Sequence, residues 1–454
     1  MTSATRNRQR IAIVGAGPAG FYTAAALLKE DGVDFNIDLI DKLPAPFGLL
    51  RYGVAPDHQK IKKVRVVFER TLHDERTRFF GGVKLGRDIT RDDLLKHYDR
   101  VIYATGSQGD RKLGIAGEDL PGVLSATEFV AWYNGHPEYA HLDPNLQVSQ
   151  AVIVGAGNVA LDVARVLAKS AEELARTDIA NHALSVLAES QIEDIYILAR
   201  RGPAEAKFTN PELREFGRLE NALPTVRLYD FEMDEVTEKE LQEDRIRRRN
   251  VEMLREFHDL SGRKQRKIHF RFLESPTRIV GDSEGGVSHI EVVRNRLERD
   301  ESGRQRPVPT DDRVLLPAGL VVRSIGYLGT PIPGVPFDRD RGVMPTAEGR
   351  LLSEPGGEHA AREYVVGWAK RGATGVIGTN KPDAEETAQS LIEDALSEPS
   401  EDFAPGIESL LEEKGIRWIS SERWQQIDEE ERKRGEAEKR PRIKFIGPDE
   451  YHSV

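Results

Sequence analysis

Short apolar runs, each closed by a glycine-rich or small-residue turn, alternate along this chain with longer segments of helical spacing. Arg10 to Val14 is the first such run. It leads directly into Gly15-Ala16-Gly17-Pro18-Ala19-Gly20 and an alanine- and leucine-rich helix predicted over Phe21 to Lys29. A second strand is predicted from Asn36 to Ile40, closing on Asp41, and Val101 to Tyr103 reads as a buried strand ending in Ala104-Thr105-Gly106-Ser107. The same strand, glycine turn and helix recur at Ala151 to Val154, then Gly155-Ala156-Gly157-Asn158-Val159-Ala160, then Leu161, Val163, Ala164 and Leu167. After a helical excursion from Ala168 to Ser190, the strand Ile195 to Leu198 ends at Ala199-Arg200-Arg201-Gly202. Alternating strands such as His269 to Leu273 and His289 to Val293, with loops at Gly281–Gly286 and Arg299–Asp312, predict a small antiparallel element, and Val321 to Gly326 a strand leading back. The dense mixed charge of Asp428 to Arg440 predicts an exposed helix or linker, and Ile443 to Ile446 a terminal strand. The two glycine loops are the only internal repeat.

Each loop carries a specific chemistry. Gly15 permits a sharp turn, Gly17 lets the backbone approach a pyrophosphate, Gly20 allows close helix–strand packing, and the helix N-terminus supplies amide hydrogens. A GxGxxG alone is a weak signal. Here the preceding strand, the following helix and an acid at Asp41, placed for a ribose 2′-hydroxyl, complete the dinucleotide fingerprint. The second loop is the GxGxxA variant, and the strand after it ends on Arg200 and Arg201 instead of a carboxylate. A carboxylate would repel a 2′-phosphate, whereas paired guanidinium groups hold it with charge-assisted, often bidentate hydrogen bonds. Two fingerprints imply two nucleotides, with FAD at the first and NADPH/NADP+ as hydride donor at the second. The Ala104-Thr105-Gly106 turn supports FAD there, because it resembles the second FAD motif of two-dinucleotide flavoproteins.

Composition narrows the chemistry. At 454 residues the chain is long enough for two or three domains. It contains no cysteine, which excludes a disulfide framework, a redox dithiol, a Cys-ligated iron–sulfur cluster and a thiolate nucleophile, so redox work falls to a bound cofactor. Nothing in the sequence points to a metal. The formal charge of −11 argues against general nucleic-acid binding. Local basic runs at Arg245 to Arg255 and at Arg263, Lys264, Arg266 and Lys267 either recruit an acidic partner or form a solvated helix face. No apolar run approaches the ~18 residues that span a bilayer. Arg6, Arg8 and Arg10 precede apolar Ile11 to Val14, but that stretch enters the glycine loop and cannot serve as a signal-peptide core. Cytoplasm is the expected location, and a processed organellar enzyme would look the same.

With these residues in place the chain resembles the adrenodoxin reductase family of NADPH–ferredoxin reductases, including the FprA-type enzymes, over nearly its whole length. The most specific segments are Pro46-Phe47-Gly48-Leu49-Leu50-Arg51-Tyr52-Gly53-Val54-Ala55-Pro56-Asp57-His58, Arg200-Arg201-Gly202-Pro203, Asn210-Pro211-Glu212-Leu213-Arg214-Glu215, and Gly367-Trp368 through Thr379-Asn380. The resemblance implies an α/β fold of two Rossmann-like, glutathione-reductase-like domains, the NADP domain (109–331) inserted into an FAD domain (1–108 and 332–454). It implies FAD contacts at Ala16, Asp41, Leu49, Leu85, Trp368, Gly375, Val376 and Ile377. NADP contacts are implied at Gly157 through Ala160, Arg200, Arg201, Glu212 and Gly375. Family members often carry Glu where this chain has Asp41. His58 and Glu215 fall where the family places residues near the flavin, as an imidazole with an orienting carboxylate, although a histidine after a Pro-Asp turn is equally consistent with a structural role.

The expected activity is hydride transfer from NADPH to FAD, then release of single electrons to a ferredoxin-type iron–sulfur protein, including carriers that supply cytochrome P450 systems. An acidic ferredoxin would meet a basic face, for which Arg245 to Arg255 is the candidate. The alternatives are an NADPH diaphorase, a flavin monooxygenase, the electron-input subunit of a larger complex and, outside enzymes, a non-catalytic redox-sensing flavoprotein. The sequence leaves the oligomeric state and the identity of the ferredoxin open.

Overall fold

The computed structural model describes residues 7–398, 400 and 405–453, so Arg6 lies outside the described residues. The chain divides into two compact units. The first comprises 1–54, 58–109 and 326–454, and the second 55–57 and 110–325.

The first unit is built on a seven-stranded sheet. Its parallel part runs Thr77–Gly81, Val33–Asp41, Asn7–Val14, Arg100–Tyr103, His359–Val365, and the last of these turns back through Arg350–Leu352 and Thr346–Ala347 as an antiparallel edge. Asn7–Val14 is flanked on both sides, and its core residues Ile11, Ala12 and Ile13 are fully buried, which accounts for a continuous apolar run instead of an alternating one. The helix Pro18–Leu27 packs against the sheet and against the long helix Asn380–Ser397.

The C-terminal segment meets expectation in part. Asp428 to Arg440 is helical as far as Ala437, but only one side of it is exposed. Asp428 and Glu431 lie on the buried side of the helix Ser421–Ala437, and Arg440 is buried just beyond it. Arg51 makes a two-pronged ion pair with Glu431, one arm at 2.8 Å, and Arg442 bonds Asp428 (2.6 Å) and Glu431 (3.0 Å). Asp428 and Glu431 are thus paired away from solvent, while Glu429, Arg432, Lys433, Glu436, Glu438 and Lys439 stay exposed. Ile443 to Ile446 forms no strand; Phe445 is buried, and its amide donates to Glu431 at 2.7 Å.

The second unit carries a six-stranded parallel sheet in the order Val123–Ser125, Leu320–Arg323, Gln150–Val154, Asp194–Ala199, Arg266–Phe272, Ala222–Val226. A separate antiparallel sheet holds Glu274–Gly281, Val287–Arg299 and Gln305–Pro317. The expected strand His269 to Leu273 therefore belongs, as far as Phe272, to the parallel sheet and not to the antiparallel element. Its alternation fits either setting, because Ile268, Phe270 and Phe272 face the core while His269 stacks on Tyr196 of the neighbouring parallel strand, ring centroids 4.6 Å apart. The expected loop 299–312 shrinks to a tight turn at 300–304, since the charged strand after it is largely exposed and reads as loop. Among the described residues no helix is long and apolar enough to cross a membrane.

Candidate nucleotide sites

In the first unit, Gly15 has φ +115° and a Cβ there would lie 2.3 Å from the Ala104 carbonyl oxygen and 3.2 Å from the Thr105 nitrogen. The turn Ala104-Thr105-Gly106 therefore passes directly beside the first glycine loop. At Gly20 a Cβ would meet the Gly15 oxygen at 2.2 Å, the close helix packing that excludes a side chain. Gly17 caps the helix that starts at Pro18 and Ala19, and the nearest atom to a Cβ there is 3.9 Å away, so its outer side is open. Asp41 ends its strand and accepts from the amides of Ala16 (2.7 Å) and Leu43 (2.8 Å), one per carboxylate oxygen. The carboxylate shapes the loop itself.

Phe47 adopts φ +82°, and its amide donates to the Ala16 carbonyl at 2.7 Å. That backs the Phe47-Gly48 turn onto the loop, with Gly48 tight against Gly17, and leaves Leu49 exposed. Leu85 sits in the core with Val14 and Ile40. Trp368 follows Gly367, whose φ of +74° brings it against Ala19. The indole donates to the Thr374 carbonyl at 3.0 Å and packs on Tyr327 with ring centroids 5.5 Å apart. Arg371 also donates to Thr374 and holds Asn380 Oδ1 at 2.7 Å. These bonds brace a turn in which Gly375 has φ +81°, Val376 is 58% exposed and Ile377 packs on the core, just ahead of the helix Asn380–Ser397. His58 is half-buried and precedes the short helix Gln59–Lys62.

The second unit repeats the device. The Gly155 amide donates to the Leu198 carbonyl at 2.9 Å, as that of Gly15 does to Ile40 at 2.7 Å, and a Cβ at Gly155 would lie 2.1 Å from the Ser324 oxygen. Gly157 has nothing within 4 Å of that position and caps the helix Asn158–Ala168, in which Val159 is partly exposed and Ala160 buried. The Asn158 side chain accepts from the Thr209 amide at 2.9 Å, fastening the start of the helix Asn210–Phe216 that carries Glu212 and Glu215. Arg200 is exposed beyond the strand end, with its carbonyl held by Asn295 at 2.9 Å, and Arg201 is half-buried.

Sequence reasoning missed Arg165. It lies within the apolar run Val163-Ala164-Arg165-Val166-Leu167, is fully buried, and bonds Asp57 (2.7 and 3.0 Å) and Asp162 (2.7 Å), with Glu215 at 3.3 Å. Burial favours its neutral form, but Asp57, Asp162 and Glu215 outweigh that and hold it charged. The available signal was a lone arginine on the apolar face of a glycine-loop helix. Within the basic run Arg245 to Arg255 part of the charge is already paired, while Arg245 and Arg255 are exposed. Arg249 pairs with Glu252 and Glu256 at 3.0 and 3.1 Å, and Arg247 turns inward to the Ala204 carbonyl at 2.8 Å. Acids three to seven residues along the same helix supply the pairing. In the second run Arg266 is buried against the Ile192 and Lys169 carbonyls at 2.9 and 3.0 Å.

Residues 9–343 match the pyridine nucleotide-disulphide oxidoreductase family. NADPH-ferredoxin reductase FprA of Mycobacterium tuberculosis is 44% identical over 450 residues, covering 96% of each chain. The mitochondrial NADPH:adrenodoxin oxidoreductase of Homo sapiens is 41% identical over 97% of this chain and 91% of that one. The solved structure of M. tuberculosis FprA in complex with NADPH superposes with a TM-score of 0.93 at 42% identity, covering 98% of this chain and 99% of that one. With no cysteine present, the disulphide half of the family name has no counterpart here. The chain belongs to the pyridine nucleotide-disulphide oxidoreductase family, within its branch of NADPH–ferredoxin and NADPH:adrenodoxin reductases.

Proposed function

We infer that this chain is an FAD-dependent oxidoreductase that takes a hydride from NADPH and delivers electrons singly to a ferredoxin-type iron–sulfur protein. The observation that carries the reading is the presence of two complete glycine-loop devices, one per unit, in a chain without cysteine, the second ending on paired arginines. FAD, when bound, supplies the conversion of a two-electron donor into one-electron deliveries. The chain's own residues bind and orient. Gly15 to Gly20 present helix amides to a pyrophosphate, Asp41 fixes that loop and faces the ribose, and the braced turn from Thr374 to Thr379 offers backbone groups to the flavin ring. In the second unit Gly155 to Ala160 receive the NADPH pyrophosphate, and Arg200 and Arg201 its 2′-phosphate. Arg165 ties Asp57 and Glu215 to the second glycine-loop helix, which gives Glu215 an ion-pairing role.

Anaerobic stopped-flow reduction of the bound flavin tests this, with NADPH compared to NADH in wild type and in Arg200→Ala/Arg201→Ala. A strong NADPH preference that falls by roughly 100-fold in the double variant is expected, from two charge-assisted contacts. Absence of bound flavin, or equal rates with both nucleotides in wild type, would refute it.

A further inference from the structure

Beside the second glycine loop lies a cavity of about 480 Å³, within the range of small-ligand pockets. Its lining includes Arg201, Lys207 and Arg304, together with Arg247, Glu205 and Glu240. The polar groups of this wall are unevenly matched. Arg247 is spent on the Ala204 carbonyl at 2.8 Å and on Glu240 and Glu205 at 3.6 and 3.7 Å. Among the described residues, Arg201, Lys207 and Arg304 have no carboxylate within 4 Å. Burial makes the Arg201 guanidinium less basic than usual; Glu205 offsets part of this, while Arg200, Arg304 and Arg247 add to it. Burial also favours the uncharged form of Glu205, ahead of the opposing pull of Arg247 and Arg201. A cavity in which cations crowd one another while its half-buried acid tends to neutrality is set for an anion.

Arg304 reaches this wall from the antiparallel insertion, and its approach is fixed. The turn that carries it is tied by Asp300, whose carboxylate accepts from the amides of Ser302 and Arg304 at 3.0 Å each. Arg299 clamps the same turn through the Gly303 carbonyl at 2.7 Å and anchors it to Asp234 and Glu240 at 3.1 and 3.2 Å. Gln305 bonds Asp234 and Thr237 at 3.1 and 3.0 Å. Lys207 comes from the segment that follows Arg201, its amide on the Ala156 carbonyl of the glycine loop itself at 3.1 Å.

We propose that Arg304 and Lys207 complete, with Arg201, the binding site for the adenosine 2′-phosphate, so that the antiparallel insertion takes part in choosing NADPH over NADH. This rests on the assignment of Arg200 and Arg201 to that phosphate. Charge from the 201–207 segment and from the antiparallel insertion meets in one cavity, which an arginine pair at one strand end alone does not provide.

The test uses the FAD-loaded full chain with Arg201→Ala, Lys207→Ala, Arg304→Ala and Arg304→Lys. Calorimetric titration with adenosine 2′,5′-bisphosphate and with 5′-AMP separates the 2′-phosphate from the rest of the nucleotide. Arg304→Ala and Lys207→Ala are each expected to weaken the bisphosphate about tenfold, with less than about a twofold effect on 5′-AMP, and Arg304→Lys to recover most of the loss. The ratio of kcat/KM for NADPH to that for NADH falls by the same factor, through KM. Unchanged bisphosphate affinity in Arg304→Ala, while Arg201→Ala loses it, overturns the inference and leaves the arginine pair standing. Equal weakening of both ligands also overturns it, as a structural effect. If Arg201→Ala too binds the bisphosphate normally, the arginine-pair assignment and the inference fall together.

Discussion

Gly155 and Gly157 stand two residues apart in one loop, yet the structure assigns them opposite kinds of necessity, and substituting alanine at each separates the two. A Cβ at Gly155 would sit 2.1 Å from the Ser324 carbonyl oxygen, where carbon–oxygen contacts normally begin near about 3.3 Å, so roughly 1.2 Å of displacement is needed. Ser324 cannot easily yield, because its amide is bonded to Val154 at 2.8 Å, at the end of the neighbouring strand. The φ of +141° adds backbone strain. Overpacking of roughly 1–3 kcal/mol and strain of similar size place Gly155→Ala about 3–5 kcal/mol below wild type. For a unit of this size that is a fall in Tm of roughly 6–20 °C. At Gly157 a Cβ meets nothing within 4 Å, φ is −126°, and the loss of a glycine cap costs under about 1 kcal/mol. Its methyl nevertheless projects from the helix N-terminus into open space, where the proposed pyrophosphate site lies. Thermal unfolding by circular dichroism and NADPH-dependent flavin reduction together read the outcome: Gly155→Ala melts early, while Gly157→Ala melts as wild type and its KM for NADPH rises at least about tenfold. A Gly157→Ala protein with wild-type KM would refute the placement of the pyrophosphate on the open side of the loop.

Glu431→Gln leaves Arg51 charged in a fully buried site and is expected to cost about 3–5 kcal/mol in chemical denaturation, with partial recovery in Glu431→Asp; a loss below about 1 kcal/mol would show that the pair contributes little. Glu118 lies below the usual carboxylate range: burial opposes ionisation, but the amides of Leu113 and Gly114, both at 2.7 Å, and Arg323 at 2.8 Å outweigh it. A depressed folded-state value contributes stability above the unfolded pKa of about 4.3 that is lost as pH falls through the folded value. Glu118→Gln is therefore expected to be less stable than wild type by about 1–3 kcal/mol at pH 7, with the gap closing below about pH 4, and a pH-independent gap would rule out this linkage. Asp41→Ala removes the acceptor for Ala16 and Leu43 and is expected to yield protein with a reduced FAD content by absorbance and a Tm lower by a few degrees; full flavin occupancy would argue against a role for Asp41 in shaping the loop.

The elements legible in the sequence were those where local rules and tertiary environment agree. Both glycine loops sit between a strand buried on both faces and a helix, so apolar run, glycine spacing and helix start point the same way. His269 to Phe272 was misread because alternation records only that one side is apolar, and a parallel strand with a stacked His269 on its other side produces the same pattern. The tail at Asp428 to Arg440 was legible as a helix with an exposed side but not as one with a buried ionic side, because charge density says nothing of partners: Arg51 lies 380 positions away from Glu431, and no local window contains both. Arg165 was missed for a related reason, since Asp57 and Glu215, with which it pairs, come from other segments.

The brace between Arg51 and Glu431 also bears on how the enzyme is made. Synthesis runs from the N-terminus, and once residue 325 has emerged the second unit holds every strand of its sheet. The first unit at that moment has the glycine loop but lacks His359–Val365, the neighbour of Arg100–Tyr103, and every partner of Arg51 near the C-terminus. At translation rates of roughly 5–20 residues/s the wait lasts about 6–26 s, during which a buried-charge position stands open to water and the sheet has an unpaired edge. The inserted unit can thus complete its sheet while the discontinuous one still waits for its last strand and clasp.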